Sequence, residues 1–296
     1  MLYSVLLPAH RNDAYLGEAV ASVEAAMAGD DAELIIIANG PDRAAIAHRY
    51  GGRTKPLRRR LVQSHLPSLV YALNKGLEES RGRFIARMDS DDLCLPGRFK
   101  AQAARLAQGG VDFLFTRAQF IDADERPIVV REETWPNFPT IDFNPIHPTL
   151  MARREALVAL GGYGNIELAE DRHLWLAARA KGYSFARLDE AGIRYRVHTG
   201  QSTTAEQMPI GLATSVGLDL AHALRNGHWP MAAHAVTVGL SRFARASVRA
   251  FILRRREAWR GKPIDLAPVD AVKLGAQPRA DTGSDVFDLQ VGPPAG

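Results

Sequence analysis

The chain has almost no sulfur chemistry to offer. Its single cysteine, Cys94, excludes an intrachain disulfide and any zinc site built on several thiolates, so a reducing compartment, the cytoplasm, is expected. Long apolar runs are also missing. No stretch approaches the roughly 18 apolar residues that a membrane-spanning helix needs. The opening segment "MLYSVLLPAHRND" has neither a basic region before its short apolar run nor a small-residue cleavage site after it, and reads as a strand rather than a signal peptide. Internal repeats are absent as well.

A net positive charge is missing outside one segment. The 296 residues are 46% hydrophobic and 24% charged, with a net charge of +4. Residues 241–262 hold eight Lys or Arg against one acid, a local +7 that leaves the rest of the chain at −3. That asymmetry argues against a whole-surface nucleic-acid binder.

What is present alternates between two periodicities. "YSVLLP" (3–8), "ELIIIA" (33–38), "RRLVQ" (59–63), "RFIARM" (83–88) and "VDFLF" (111–115) are short and nearly continuous in apolar residues, as strands covered on both faces are. Between them, 13–28 opens on an Asp cap with Leu16, Val20, Val23 and Met27 at helical spacing; 68–81 and 96–108 repeat the pattern. This β-α-β-α order predicts an α/β fold with a doubly wound, mainly parallel sheet and flanking helices. Ligands bind such sheets beyond the carboxyl ends of the strands.

One strand delivers unusual charge to that edge. "RFIARMDSDD" ends in Asp89, Asp91 and Asp92. Crowded carboxylates raise one another's pKa, and a cation keeps them ionised; hard oxygen ligands suit Mg²⁺ or Mn²⁺. The competing reading is a cap for the helix that follows Pro96, because Asp is common near helix starts. The loops "AHRN" and "NGPD" reach the same edge.

Downstream, "NPIHPTLMARREAL" (144–157) reads as loop, short strand and helix, and "AEDRHLWLAARAKGY" (169–183) as a second helix with Glu170 and Asp171 at its N-terminus, where the helix dipole favours ionised carboxylates. Trp175 sits at core spacing. "GIRYRVHTGQST" (192–203) is a strand that releases His198 into a polar loop, and His147 in "HPT" reads equally as a site residue or a turn residue.

In this order the motifs "SVLLPAHRN", "IIIANGPD", "ALNKGLEESRGRFIARMDSDDLCLPGR", "HPTLMARREALVALGGY", "AEDRHLWL" and "YRVHTGQST" resemble the inverting family 2 glycosyltransferases of GT-A fold, over about residues 1–204. The resemblance implies polysaccharide biosynthesis from a nucleotide-sugar donor, with "DSD" as the DxD motif. Asp89 then contacts ribose or metal, Asp91 ligates a divalent cation at the donor's diphosphate with His198, and Asp92 assists through water. Asp171 corresponds to the general base, with Glu170 beside it. Pro8, His10 and Asn39 fall where the donor nucleotide lies. Where many members have Asp-Asp-Gly, this chain has Ala38, Asn39 and Gly40. An Asn amide can accept from uracil N3–H and donate to O4, or flip for cytosine; uracil is the expectation.

Two rival readings are a nucleotidyltransferase and a non-catalytic nucleotide-sugar-binding protein. The first usually has a Gly-rich basic loop after its first strand, and "PAHRND" has no glycine; the second is expected to have lost Asp91 or Asp171. The domain expectations are a glycosyltransferase domain at 1–204, a helical extension at 205–262 and a flexible tail at 263–296. The extension's basic amphipathic helix, 241–262, fits either a peripheral contact with the inner membrane face, near a glycan or lipid-linked acceptor, or a solvated face packed on the catalytic domain.

Overall fold

A computed structural model describes residues 1–52, 58–129, 141, 143–198, 200–201, 208–233, 235–237, 239 and 287–288. The basic segment 241–262 lies outside the described residues, as does 263–296 apart from a two-residue strand, Phe287–Asp288, that pairs with Ile128–Val129.

The apolar runs form the centre of the molecule. β1 (Tyr3–Ala9) and β2 (Ala32–Ala38) are buried along their whole lengths. Because strand side chains alternate faces, Val5 and Leu7 join one core with Leu16, Val20 and Val23 of α1 (Ala14–Ala26). Leu6 joins the opposite core with Val70, Leu73 and Leu77 of α3 (Leu69–Glu79). α1 starts where expected, since the Asp13 side chain accepts the Leu16 N–H at 3.0 Å.

β3 (Arg58–Gln63), β4 (Phe84–Arg87), β5 (Leu93–Cys94), β6 (Phe113–Ile121), β8 (Met151–Arg153) and β9 (Phe185–Arg196) complete an eight-stranded sheet of order β3-β2-β1-β4-β8-β6-β9-β5. The β3-β2-β1-β4 half is parallel, as the alternating pattern predicts. The other half is mixed: β8 runs antiparallel between β4 and β6, while β6 and β9 are parallel. β6 and β9 outrun the expected strands because their extensions, through Arg117 and Gln119 for example, are partly exposed and lack a continuous apolar run. The remaining elements are α2 (Arg43–Tyr50), α4 (Arg98–Ala107), β7 (Ile128–Val129), α5 (Arg154–Ala159), α6 (Glu170–Ala180) and α7 (Met208–Arg225). α2 escapes the sequence pattern because only Ile46 and Tyr50 of it are buried.

β1 has β2 on one side and β4 on the other, so the winding reverses there. Its pairing with β4 stops at Leu6 and Arg87, while that with β2 runs on to Ala9 and Ala38. Pro8, which has no N–H to give, stands where β1 and β4 part. The split opens a crevice at the carboxyl edge, the place where such sheets take ligands.

Candidate active site

Three carboxylates follow β4 into this crevice. One oxygen each from Asp89, Asp91 and Asp92 lies within 4.8 Å of the others. They do not cap the next helix: α4 begins at a Gly97 cap in left-handed conformation, φ 79°, without a side-chain cap bond. Each carboxylate has a different partner. Asp89 receives both guanidinium arms of Arg87, at 2.9 and 2.5 Å. Asp91 Oδ2 lies 3.1 Å from His198 Nε2. Asp92 Oδ1 accepts the Arg196 backbone N–H at 2.9 Å, and its buried Oδ2 has no partner among the described residues.

Burial and neighbouring charge act on Asp89 and Asp92. Asp89 is pushed up to about 6 by burial, with Arg87 opposing and Asp91 reinforcing the rise. Asp92 is driven well above the ordinary carboxylate range by burial and then by Asp89 and Asp91. An orphaned buried oxygen among close acidic ligands is the donor set a hard divalent cation satisfies, so these residues fit Mg²⁺ or Mn²⁺. His198 is held differently. Its Nδ1 accepts the Gly200 N–H at 3.1 Å, so the proton of the neutral ring sits on Nε2, facing Asp91. Ligation through Nε2 requires that proton to leave and the Gly200 bond to open.

A buried arginine fixes the loop. Arg196, 1% exposed, donates to Asp91 O at 3.0 Å and to Glu18 Oε2 at 2.7 Å, and its guanidinium lies 4.4 Å from the Tyr15 ring centre. Arg98, also buried, ties Arg87 O (2.9 Å) to Pro148 O (2.7 Å), locking the end of β4 to the turn His147–Thr149.

The second acidic group stands at the start of α6. Burial and the adjacent Asp171 push Glu170 up to about 7; Arg87 opposes this and the Asp89 charge adds to it, which places both acidic groups in one field. Asp171 is raised by burial, while the Arg172 N–H, 2.6 Å from Oδ1, and the charges of Arg87 and Arg172 favour its ionised form. His147 is buried, with Nδ1 3.8 Å from Glu170 Oε1 and Nε2 3.0 Å from Tyr163 Oη. Burial, then Arg87, hold its pKa well below the usual histidine range. Trp175 is core, 2% exposed, with an edge contact to the His147 ring at 5.6 Å.

At the β1–β2 end, Asn39 is buried and its Nδ2 donates to Ser68 O at 3.3 Å, leaving Oδ1 and the second N–H for a ligand. His10 is half-buried; burial and then Arg11 lower its pKa. Gly40, φ 73°, backs onto it, and a Cβ there would stand 3.0 Å from His10 Cβ.

Sequence reasoning missed Arg87, Tyr163 and Arg196. Arg87 had a signal: a charge interrupting the apolar run of a strand covered on both faces. Tyr163 and Arg196 had none, because the alternation of β9 assigns Arg196 to a polar face and Tyr163 meets His147 only through the fold.

A family model described as "Glycosyl transferase family 2" matches residues 4–157. The chain is 31% identical over 206 residues to the O-antigen biosynthesis glycosyltransferase WbnJ of Escherichia coli, covering 67% of this chain and 80% of that one. Among solved structures it is similar to S. aureus TarS 1-349, with TM-score 0.57 and 19% identity, over 80% of this chain and 71% of that one. The same protein in complex with UDP-GlcNAc matches with TM-score 0.55 and 17% identity, over 74% and 67%. At these identities the TarS likeness is one of fold.

Proposed function

The chain belongs to glycosyltransferase family 2, and on that premise we propose that it moves a sugar from a UDP-linked donor to a glycan or lipid-linked acceptor with inversion. Its sheet is that of the GT-A fold, and its relative WbnJ works in O-antigen biosynthesis. The observation that carries the proposal is the pairing of two acidic groups across Arg87: the Asp89–Asp91–Asp92 cluster at the β1/β4 crevice and Glu170–Asp171 at the start of α6. A UDP-linked donor is supported by the fold neighbour bound to UDP-GlcNAc, and by an Asn39 amide with acceptor and donor atoms to spare.

Pro8, His10 and Asn39 line the nucleotide end, and Asp89 contacts ribose or the metal. Asp91 and His198 would hold a Mg²⁺ or Mn²⁺ ion, with Asp92 assisting through water. When bound, that ion neutralises charge developing on the leaving diphosphate. Asp171 accepts the proton of the acceptor hydroxyl as its oxygen bonds to the anomeric carbon and the bond to the diphosphate breaks, on the opposite face of the sugar. Burial raises the Asp171 pKa, while the Arg172 N–H favours its ionised form and fixes one oxygen, so that the other is oriented towards the acceptor hydroxyl. Glu170 lines the pocket beside it. Arg172 also binds Asp219 through two contacts, which anchors the start of α6 on α7.

The basic segment 241–262 is proposed to hold the enzyme peripherally on an anionic membrane face, where lipid-linked acceptors reside; among the described residues no helix is long and apolar enough to cross a membrane. The test of the chemistry is Asp171→Asn. It retains UDP binding and loses sugar transfer; unchanged turnover removes Asp171 as base.

A further inference from the structure

His147 is buried yet holds a polar chain of contacts that the transfer reaction as described does not use. Asn74 on α3 grips Tyr163 by two bonds of 2.8 Å, from Nδ2 to Tyr163 O and from Tyr163 N–H to Oδ1. Gly162 makes that grip possible, since a Cβ there would lie 2.4 Å from Asn74 Oδ1. Tyr163 Oη meets His147 Nε2 at 3.0 Å, and the edge contact with Trp175 fixes the ring plane. The remaining ring nitrogen, Nδ1, points to Glu170 Oε1 at 3.8 Å. That gap is longer than a hydrogen bond. The ring is fixed at its other end, so closing the gap falls to the carboxyl, which also accepts from its own backbone N–H.

We propose that His147 is a positioning residue for the catalytic carboxyl pair: held by Tyr163, its Nδ1 accepts a hydrogen bond from a protonated Glu170, so that Asp171 alone bears the negative charge. The proposal rests on Asp171 as the base. A neutral imidazole has one N–H and one lone pair. The proposal takes the tautomer in which Nε2–H is donated to Tyr163 Oη, so that Nδ1 is left to accept.

The surroundings keep the proton on Glu170. The groups facing it are Asp171 on its own helix, Asp89 and Arg87 from the end of β4, His147 from the turn and Tyr163 from the loop after α5. Burial, then Asp171 and Asp89, oppose a negative charge at Glu170, while its own backbone N–H and Arg87 favour one. His147 does not take the proton as imidazolium, because burial and Arg87 oppose its charging. A base pair with one fixed proton presents one defined acceptor, Asp171, to the substrate hydroxyl.

The test reads Glu170 directly in the full-length, metal-free protein, by infrared titration of the protonated carboxyl band that Glu170→Gln removes. In the wild type the band fades as pH rises through about 7. In His147→Phe the midpoint falls by about half a pH unit or more, the loss of one net hydrogen bond to the neutral form. Tyr163→Phe moves it the same way by less, and His147→Gln, whose amide oxygen can accept, restores it. A purely structural role lowers thermal stability and leaves the midpoint in place. A midpoint unmoved in both His147→Phe and Tyr163→Phe, or raised, overturns the proposal. Retained turnover in Asp171→Asn removes the base assignment instead, and the Glu170 midpoint still reports on His147 independently.

Discussion

Gly162→Ala tests the clamp on which the α6 side of the site hangs. Two costs add in the wild type. Gly162 has φ 75°, and a side chain in the left-handed region costs about 1–2 kcal/mol. The new Cβ would stand 2.4 Å from Asn74 Oδ1, so Asn74 must swing away and both of its bonds to Tyr163 are lost, at about 1 kcal/mol net for each. The expected destabilisation is about 3–4 kcal/mol. In an Asn74→Ala background the obstructing oxygen and the two bonds are already gone, so only the backbone cost of about 1–2 kcal/mol remains. A double-mutant cycle by urea denaturation, with m unchanged, should therefore return a coupling of about 2 kcal/mol. A single-variant cost below about 1 kcal/mol, or additivity within about 0.5 kcal/mol, refutes the clamp. Because Tyr163 holds His147, Gly162→Ala also lowers transfer while nucleotide binding persists.

Asp92→Asn stabilises the chelated protein. The folded state holds the Asp92 proton more tightly than the unfolded chain does, so without a cation stability falls as pH rises above the ordinary carboxylate value. Removing the charge raises Tm by about 2–6 °C near pH 7, and saturating Mn²⁺ narrows or inverts the difference; a lower Tm in chelator contradicts this. For the basic segment, attraction worth about 1 kcal/mol per basic residue near an anionic surface predicts co-sedimentation with phosphatidylserine-containing vesicles. Binding should fade as the Debye length shrinks from about 10 Å at 0.1 M salt to about 3 Å at 1 M, and no binding at low salt removes the membrane contact.

Much of the architecture was legible because β1, β2 and β4 are buried on both faces and so read as unbroken apolar runs, with turn-forming residues closing each one. The same regularity assigns Asp89, Asp91 and Asp92 to a ligand-binding edge from the pattern of residues alone. β8 was legible as a strand but not in direction. Its antiparallel place between β4 and β6 depends on the turn at His147–Thr149 and on Arg98, whose contacts span 11 and 50 residues. Arg196 was illegible for a related reason: alternation counts it as solvent-facing, whereas Glu18, Asp91 O and Asp92 supply its partners from distant parts of the chain. His147 stayed ambiguous because a Pro-flanked turn and a site residue look alike until Tyr163 and Glu170 are seen on either side of it.

The central claim is that the acidic cluster after β4 binds a nucleoside diphosphate together with a divalent cation. Isothermal titration of UDP, with Mn²⁺ and with chelator, in the wild type and in Asp91→Ala, tests it most directly. Binding is predicted in the wild type with Mn²⁺ or Mg²⁺, lost in chelator and lost in Asp91→Ala. Equal affinity for UDP under all of these conditions contradicts the assignment.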